Sequence, residues 1–560
     1  MMKPRKRRLS AFKPMSFRGK FGFRTAVMMV AVVSAFLCGN SALAYQFKTS
    51  PDWSIYLDNT IQYTIGMRAQ EMNDKIGNHL NYNQGDYKFK DRGDIVTNRI
   101  QDLIEFQADY QRRLGLRVSG SVWKDFAYDD DAEVNPNHPG FAEANAYPSG
   151  EYSSYTKRYF MQGGEFLDAF TYWNTQILGK PTYLKAGRLT QYWGNAFFLG
   201  NSAISYSQHP TDIIKAFTQP GSEVKELFLP RAQVLCTTEL SPELAVSAQY
   251  FFEFGPNRYP EGGTYLEAAA FLFNGPPGAF GTMENDGYVE PDDVNDNFGV
   301  KVAWSPIWAN GELSFYYRQF DEVNPWAGLV NPDTGHLQAT FAENVKLVGL
   351  AYERVFGLVS MGFELNTRFD TALQTLSTAP PTNEGATGTV TSFIANTMIQ
   401  LGTTPLYDCG TLIAEINYSY LNEVTGNDDM YKDEDLLVHG WKEGGATRNY
   451  LAFAMSFEPQ WLQVLPSVDF SMPMSLQTGL YGNPAHASAA ALPQESFIYS
   501  IGVKATIKSK HYITLSYNGY HFRTGSTEEN NLGLDQYAYG NGSINYNDRG
   551  WVELQFKTSF

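Results

Sequence analysis

The chain has 560 residues, with 43 Lys and Arg against 59 Asp and Glu, and it is 15% aromatic at a mean hydropathy of −0.33. A formal net charge of −16 argues against a nucleic-acid partner, which calls for a basic surface. Three cysteines exclude a disulfide-built scaffold, and the lack of any long apolar run after the N-terminal segment excludes a bundle of membrane-crossing helices.

Residues 1–24 carry nine Lys and Arg and no acid, and an apolar run over 25–37 and the small-residue site Ala42-Leu43-Ala44 follow. This is the pattern of a secretory signal peptide, and its apolar stretch is shorter than the roughly 20 residues of a spanning helix. Cleavage is expected after Ala44, leaving a single domain over 45–560 with a net charge of about −25 once the nine positive charges are gone. The bulky Leu37 before Cys38 disfavours lipid attachment there. Cys236 and Cys409 remain, either bridged to each other or as two thiols.

Trp53, Ile55, Leu57, Ile61, Tyr63 and Ile65 recur at period two and predict a first strand with one apolar face. Tight turns are predicted at 112–114, 179–182, 241–243, 307–311, 356–358, 403–410, 458–465 and 508–511, each between two runs of alternating hydrophobicity. Between these hairpins run longer polar segments such as 73–93, 129–164, 378–391 and 524–548. Short turns on one side and long loops on the other are the mark of an outer-membrane barrel. With the first and last strands, the eight hairpins predict an all-β fold, a large antiparallel transmembrane β-barrel of eighteen strands, with sixteen as the alternative. Polar residues such as Glu105, Gln107, Asp109, Gln249, Glu253, Glu415 and Asn417 are expected to point inward.

Two segments stand apart from the other loops. Residues 192–230 combine apolar residues with mixed charge and two helix signals, with Thr211 and Ser222 as expected N-caps. A loop with its own helices is expected to fold into the lumen as a constriction. Residues 264–273 form an apolar, helix-prone stretch that has to bury itself against something.

The last ten residues alternate strictly. Val552, Leu554, Phe556, Thr558 and Phe560 share one face, and Glu553, Gln555, Lys557 and Ser559 the other. An apolar face ending on a terminal aromatic is expected to close the barrel, with Leu554, Phe556 and Phe560 as its insertion signal for the barrel-assembly machinery.

Gly187-Arg188, Tyr192-Trp193-Gly194, Pro210-Thr211-Asp212, Pro220-Gly221, Glu223-Val224-Lys225-Glu226 and Leu229-Pro230 together resemble the bacterial outer-membrane barrel family catalogued as domain-of-unknown-function family 1302. Asn547-Asp548-Arg549-Gly550, Val464-Leu465-Pro466 and Met472-Pro473 are similar to its C-terminal part. The resemblance implies an outer-membrane protein without an assigned reaction, accompanied by inner-membrane exporters and periplasmic or lipoprotein partners that handle hydrophobic molecules. Tyr192, Asn195 and residues 256–263 depart from the pattern.

None of the eight histidines sits in a nucleophile elbow, a His-Glu-x-x-His pattern or a metal spacing, so no catalytic residue, metal or cofactor is assigned and the chain is not read as an enzyme. The acidic clusters at 129–131, 292–296 and 428–435 match no calcium loop and read as solvated loop tips facing lipopolysaccharide and outer-membrane lipid. The expected function is passive passage of small hydrophobic or aromatic organic solutes. Arg188, Trp193, Asp212, Lys215, Phe217, Glu223, Lys225, Glu226 and Phe228 are the candidates for the constriction and the solute path. The alternatives are a plugged structural or adhesive barrel and, behind it, an outer-membrane hydrolase.

Overall fold

The computed structural model describes residues 45–47, 50–79, 87–133, 150–219, 224–267, 273, 278–279, 283–376, 380–435, 444–487, 491–530 and 532–560. The leader with its cleavage site, Ser222 and Glu223 lie outside the described residues, as does half of the stretch 264–273.

Eighteen strands follow one another around a closed wall. They are β1 (Trp53–Arg68), β2 (Ile95–Tyr110), β3 (Leu114–Asp125), β4 (Gln162–Ile177), β5 (Lys180–Leu189) and β6 (Arg231–Ser241). Next come β7 (Leu244–Phe251), β8 (Phe298–Trp304), β9 (Glu312–Phe320), β10 (Val345–Phe356), β11 (Val359–Ala372) and β12 (Thr387–Leu401). The wall is completed by β13 (Cys409–Gly426), β14 (Asn449–Leu465), β15 (Val468–Ser471 continued as Met474–Tyr481), β16 (Ser496–Ile507), β17 (His511–His521) and β18 (Trp551–Ser559). Each pairs antiparallel with the next, and β18 pairs with β1 from Thr60↔Ser559 to Arg68↔Trp551, so no edge is left. Phe560 seals the seam. Its amide donates to the Asn59 carbonyl at 2.8 Å and its own carbonyl accepts from Asn59 at 3.3 Å. Closure is what lipid demands, because hydrocarbon offers no partner to an unpaired strand edge.

Side-chain alternation sorts the wall into two surfaces. On β1, Thr60, Gln62, Thr64 and Arg68 are buried inside while Leu57 and Met67 are exposed outside. The outer face carries an apolar belt that includes Ile100, Ile104, Val122, Phe166, Phe315, Val348, Leu365, Phe393, Val503 and Leu515. Trp53 and Tyr110 pack together at its short-turn rim, 5.1 Å between ring centroids. Phe298 and Tyr317 do so at the long-loop rim, 5.9 Å apart. An apolar belt between aromatic rims fits a lipid-facing exterior.

Most turns fall where the alternation breaks. One does not: residues 458–465 belong to β14, and the chain reverses at Pro466 and Ser467 instead. Pro459 stays in the strand with no break in register, since Phe457↔Met474 and Gln460↔Ser471 flank it in step. It pairs with Gly410 on one side, and on the other its carbonyl accepts from Met472 at 3.0 Å beside Pro473, where β15 is interrupted. Two prolines without donors thus lie at neighbouring cross-strand positions, where β15 drops out of the ladder for Met472 and Pro473 without losing register.

The interior is not uniformly polar. Val345, Leu347 and Ala351 of β10 point inward and are fully buried, and they join Trp193, Ile204, Tyr206, Phe320, Trp326 and Leu329 in the largest apolar cluster. Strand alternation alone places β10 correctly but gives no sign that its inner face is apolar. Loops that fold back into the barrel provide the partners.

Candidate functional site

Residues 190–230, between β5 and β6, form the main insert, and they bind to two opposite parts of the wall. The first half runs along β8 to β13. Trp193 lies over Gly299, where a Cβ would meet its ring at 2.8 Å, and Ile204 lies over Gly349, where a Cβ would meet Cγ1 at 2.9 Å. These inward glycines allow the inserted backbone to reach the strands.

Two inward carboxylates hold the segment in place. Glu364 accepts backbone N–H groups from Asn195, from Ala196 at 2.9 Å and from Ile204 at 2.8 Å. Glu415 accepts those of Phe197 at 2.5 Å, Phe198 at 3.0 Å and Leu199 at 2.6 Å. Arg318 completes the attachment, donating to the carbonyls of Ile204 at 2.7 Å and Tyr206 at 2.6 Å.

The second half docks on β2 to β4 through charge. Asp212, rather than the adjacent Thr211, caps the helix Ile213–Thr218 and accepts from the Lys215 amide at 2.9 Å. Lys215 pairs with Glu165 at 2.8 Å, and Arg258 reaches both Glu165 at 2.7 Å and Asp212 at 3.1 Å. Burial works against the Arg258 charge, yet Asp212 and Glu165 raise its pKa above the ordinary value. Farther along, Lys225 of the helix Val224–Leu227 pairs with Glu105 at 2.6 Å, and Gln101 donates to the buried Glu226 at 2.9 Å.

The expected path residues therefore separate into groups. Asp212 and Lys215 share one buried ion cluster, while Lys225 and Glu226 lie against β2. Trp193 is buried against Tyr316 on the opposite side, and Phe217 packs edge-on against Tyr546. Phe228 stacks on His209, 3.7 Å between centroids. Arg188 is half-exposed, pairs with Glu253 at 2.7 Å and donates to the Pro230 carbonyl at 3.2 Å, at the foot of the insert. Leu554 and Phe556 sit in β18 opposite Ile65 and Tyr63. Cys236 and Cys409 are separate thiols.

Besides a space of about 530 Å³ on the β9 to β12 side, lined by Tyr192, Phe197, Glu312, Glu353 and Asn396 among others, the insert leaves open a row of three cavities along β13 to β17. At the long-loop mouth a cavity of about 340 Å³ is lined by Trp326, Lys432, Asn483, Ala491 and Phe522 among others. Ala491 also lines the next space, a neck of about 30 Å³ between Phe198, Leu199, Asn201 and Ser202 of the insert and His486 and Leu492. The neck touches Ala452 and Gln477, and a vestibule of about 500 Å³ begins at Ser456 and Ser475, farther along the inner face of the same strands. Ser500, Lys504, Glu553, Gln555 and Lys557 make that vestibule polar. Both ring nitrogens of the buried His486 lack a hydrogen-bond partner among the described residues, and burial pushes its pKa down to about 3, with Arg368 adding to the effect. Among the described residues, no group of three or more His, Cys, Asp or Glu is placed to hold a metal ion.

The neck was hidden from sequence reasoning. Phe198 and Leu199 are ordinary residues of the insert, and His486 and Leu492 come from a short loop nearly 300 positions away, so no local pattern joins them.

Residues 25–560 match the family described as Protein of unknown function (DUF1302). The chain belongs to that family. No curated protein matches this DUF1302 member. Among solved structures it is similar to Acinetobacter baumannii OccAB2, at 10% identity and a TM-score of 0.43 over 90% of this chain and 98% of that one. Pseudomonas aeruginosa OpdK with vanillate aligns at 9% identity and a TM-score of 0.40 over 90% and 98%. Pseudomonas aeruginosa OccD3 (OpdP) aligns at 11% and 0.39 over 92% and 93%.

Proposed function

We infer that this protein is a passive outer-membrane channel for small organic solutes, which descend the β13 to β17 side of the lumen from mouth cavity to neck to vestibule. The observation that carries this reading is the alignment of the three spaces along one wall, the first two sharing Ala491. On the β9 to β12 side a space of about 530 Å³ ends against the stretch Asn195 to Leu199, which Glu364 and Glu415 hold to the wall, and on the β2 to β4 side the insert is fixed by buried ion pairs. Solutes meet an amphipathic neck, with Phe198, Leu199 and Leu492 offering apolar contact beside Asn201 and Ser202. Such a lining suits molecules with an apolar body and a polar group.

Liposome swelling with the purified protein tests the proposal. Small aromatic and neutral solutes should enter, and Phe198→Ala with Leu199→Ala should speed entry. A protein that passes no solute in either form is the closed structural barrel instead.

A further inference from the structure

The mouth cavity has the makings of a specific binding site. Its described lining contains one cation, Lys432, and no carboxylate. The Lys432 backbone is fixed on both sides, its amide donating to the Gln374 carbonyl at 2.9 Å and its carbonyl accepting from Ala446 at 2.8 Å. The ammonium lies against Gly444, 3.9 Å from where a Cβ would stand, and forms no ion pair or hydrogen bond with any described residue. Burial pushes its pKa down, and among the described residues no carboxylate faces it; the adjoining Asp433, Glu434 and Asp435 are all exposed. Gln374 stands next to it with a side-chain amide that is equally free among the described residues.

The rest of the lining is aromatic or already satisfied. Tyr259 and Phe273 stack at 4.3 Å and 11°, and Trp326 and Phe522 are almost wholly buried. Trp326 Nε1 donates to the Ala386 carbonyl at 3.2 Å, Asn483 donates to the Gly445 carbonyl at 2.7 Å, and Asn541 donates to Asn483 at 3.0 Å. Polar capacity therefore remains on the Lys432 side, and ring surface on the other. A volume of about 340 Å³ is within the range of small-molecule pockets.

We propose that this cavity binds a monoanionic arene, an aromatic carboxylate whose ring packs on Tyr259, Trp326 and Phe522 and whose carboxylate meets Lys432 and Gln374. A neutral arene would cover the ammonium without pairing it, which a buried charge opposes. A dianion would bring one charge too many for a single lysine. The proposal rests on the channel reading only in making the cavity the first station of the path.

The test is calorimetric titration of the full-length protein in detergent with 2-naphthoate and with its neutral methyl ester, alongside potassium chloride conductance of the same preparation in a planar bilayer. Naphthoate should bind, the ester should bind at least about ten-fold more weakly, Lys432→Met should lose about ten- to a hundred-fold in naphthoate affinity, and Lys432→Arg should retain most of it. Equal affinity for acid and ester, or a Lys432→Met variant within two-fold of wild type, overturns the site. Binding without conductance overturns the channel and leaves the site standing. Conductance without binding does the reverse.

Discussion

Glu364 and Glu415 face the lumen from β11 and β13, with one strand between them, and together they accept six backbone N–H groups from the stretch Asn195 to Ile204. Asn396 of the intervening strand joins the two ends, donating to the Asn195 carbonyl at 2.8 Å and lying 3.4 Å from Glu415. Six amides directed at two carboxylates make the insert a fixed part of the wall, since an ionised acceptor binds N–H groups about twice as strongly as a neutral one.

Removing one of these acceptors should release the stretch. Each hydrogen bond to a charged acceptor contributes about 1.5–3 kcal/mol, so Glu415→Ala leaves three part-buried amides unpaired and weakens docking by several times that of a surface change. Single channels of Glu415→Ala in a planar bilayer should conduct more and flicker. A trace like that of wild type would show that the insert is held by something else.

Gly349 and Ile204 offer a second, steric handle on the same contact. A Cβ at 349 would meet Ile204 Cγ1 at 2.9 Å, so Gly349→Val should push the insert inward and lower its stability by about 1–3 kcal/mol. Ile204→Ala makes room for the added methyl groups, and the double variant should recover most of the loss. Limited proteolysis of the insert reads the cycle; additive damage would contradict direct contact.

The buried ion cluster gives a third prediction. Lys215→Met removes one of two cations from Glu165 and Asp212, and breaking a buried pair from one side costs about 3–5 kcal/mol. Adding Glu165→Gln should restore much of it. Hydrogen exchange over 212–219 should rise in the single variant and fall back in the double; equal exchange in all three would argue that the pairs are incidental.

Acid should loosen the interior in a defined window. Burial holds His209 and His486 at a pKa of about 3, Arg231 and Arg318 adding to the first and Arg368 to the second. In the undocked segments each would titrate near its ordinary value of about 6.5. The undocked form therefore binds the extra proton first: docking is at full strength above about pH 6.5 and declines as pH falls toward 3, by up to about 1.4 kcal/mol per unit for each histidine. Hydrogen exchange corrected for intrinsic rate should show residues 482–487 less protected at pH 4.5 than at pH 7, and His486→Gln should flatten that difference. Unchanged protection in the wild type would contradict it.

The wall was legible because its signals are local. Val552 to Phe560 alternate within ten residues, and reversals at residues such as Gly179 and Gly357 sit between alternating runs, so period and turn chemistry suffice. The break expected at 458–465 failed for a tertiary reason: Pro459 keeps its place in the sheet through Gly410 on one side and the Met472 amide on the other, neither of which shows in the local pattern. Asp212 replaced Thr211 as helix cap for a smaller one: both types can cap, and Arg258 selects the carboxylate. The inward folding of residues 192–230 showed in their composition, whereas its anchors did not. Glu364 and Glu415 look like any lumenal acids until the segment some 150 to 220 positions earlier is laid on them. The mouth cavity is built from several loops, and no reading of one of them would assemble it.

The account turns on the neck, and a thiol placed there tests it most directly. In a Cys236→Ser, Cys409→Ser background, Asn201→Cys sets a single sulfur between the insert and His486. A bulky methanethiosulfonate reagent added during a planar-bilayer recording should extinguish most of the current through Asn201→Cys channels and leave the Cys236→Ser, Cys409→Ser parent untouched. Current that continues undiminished after mass spectrometry confirms the modification would place the route elsewhere in the lumen.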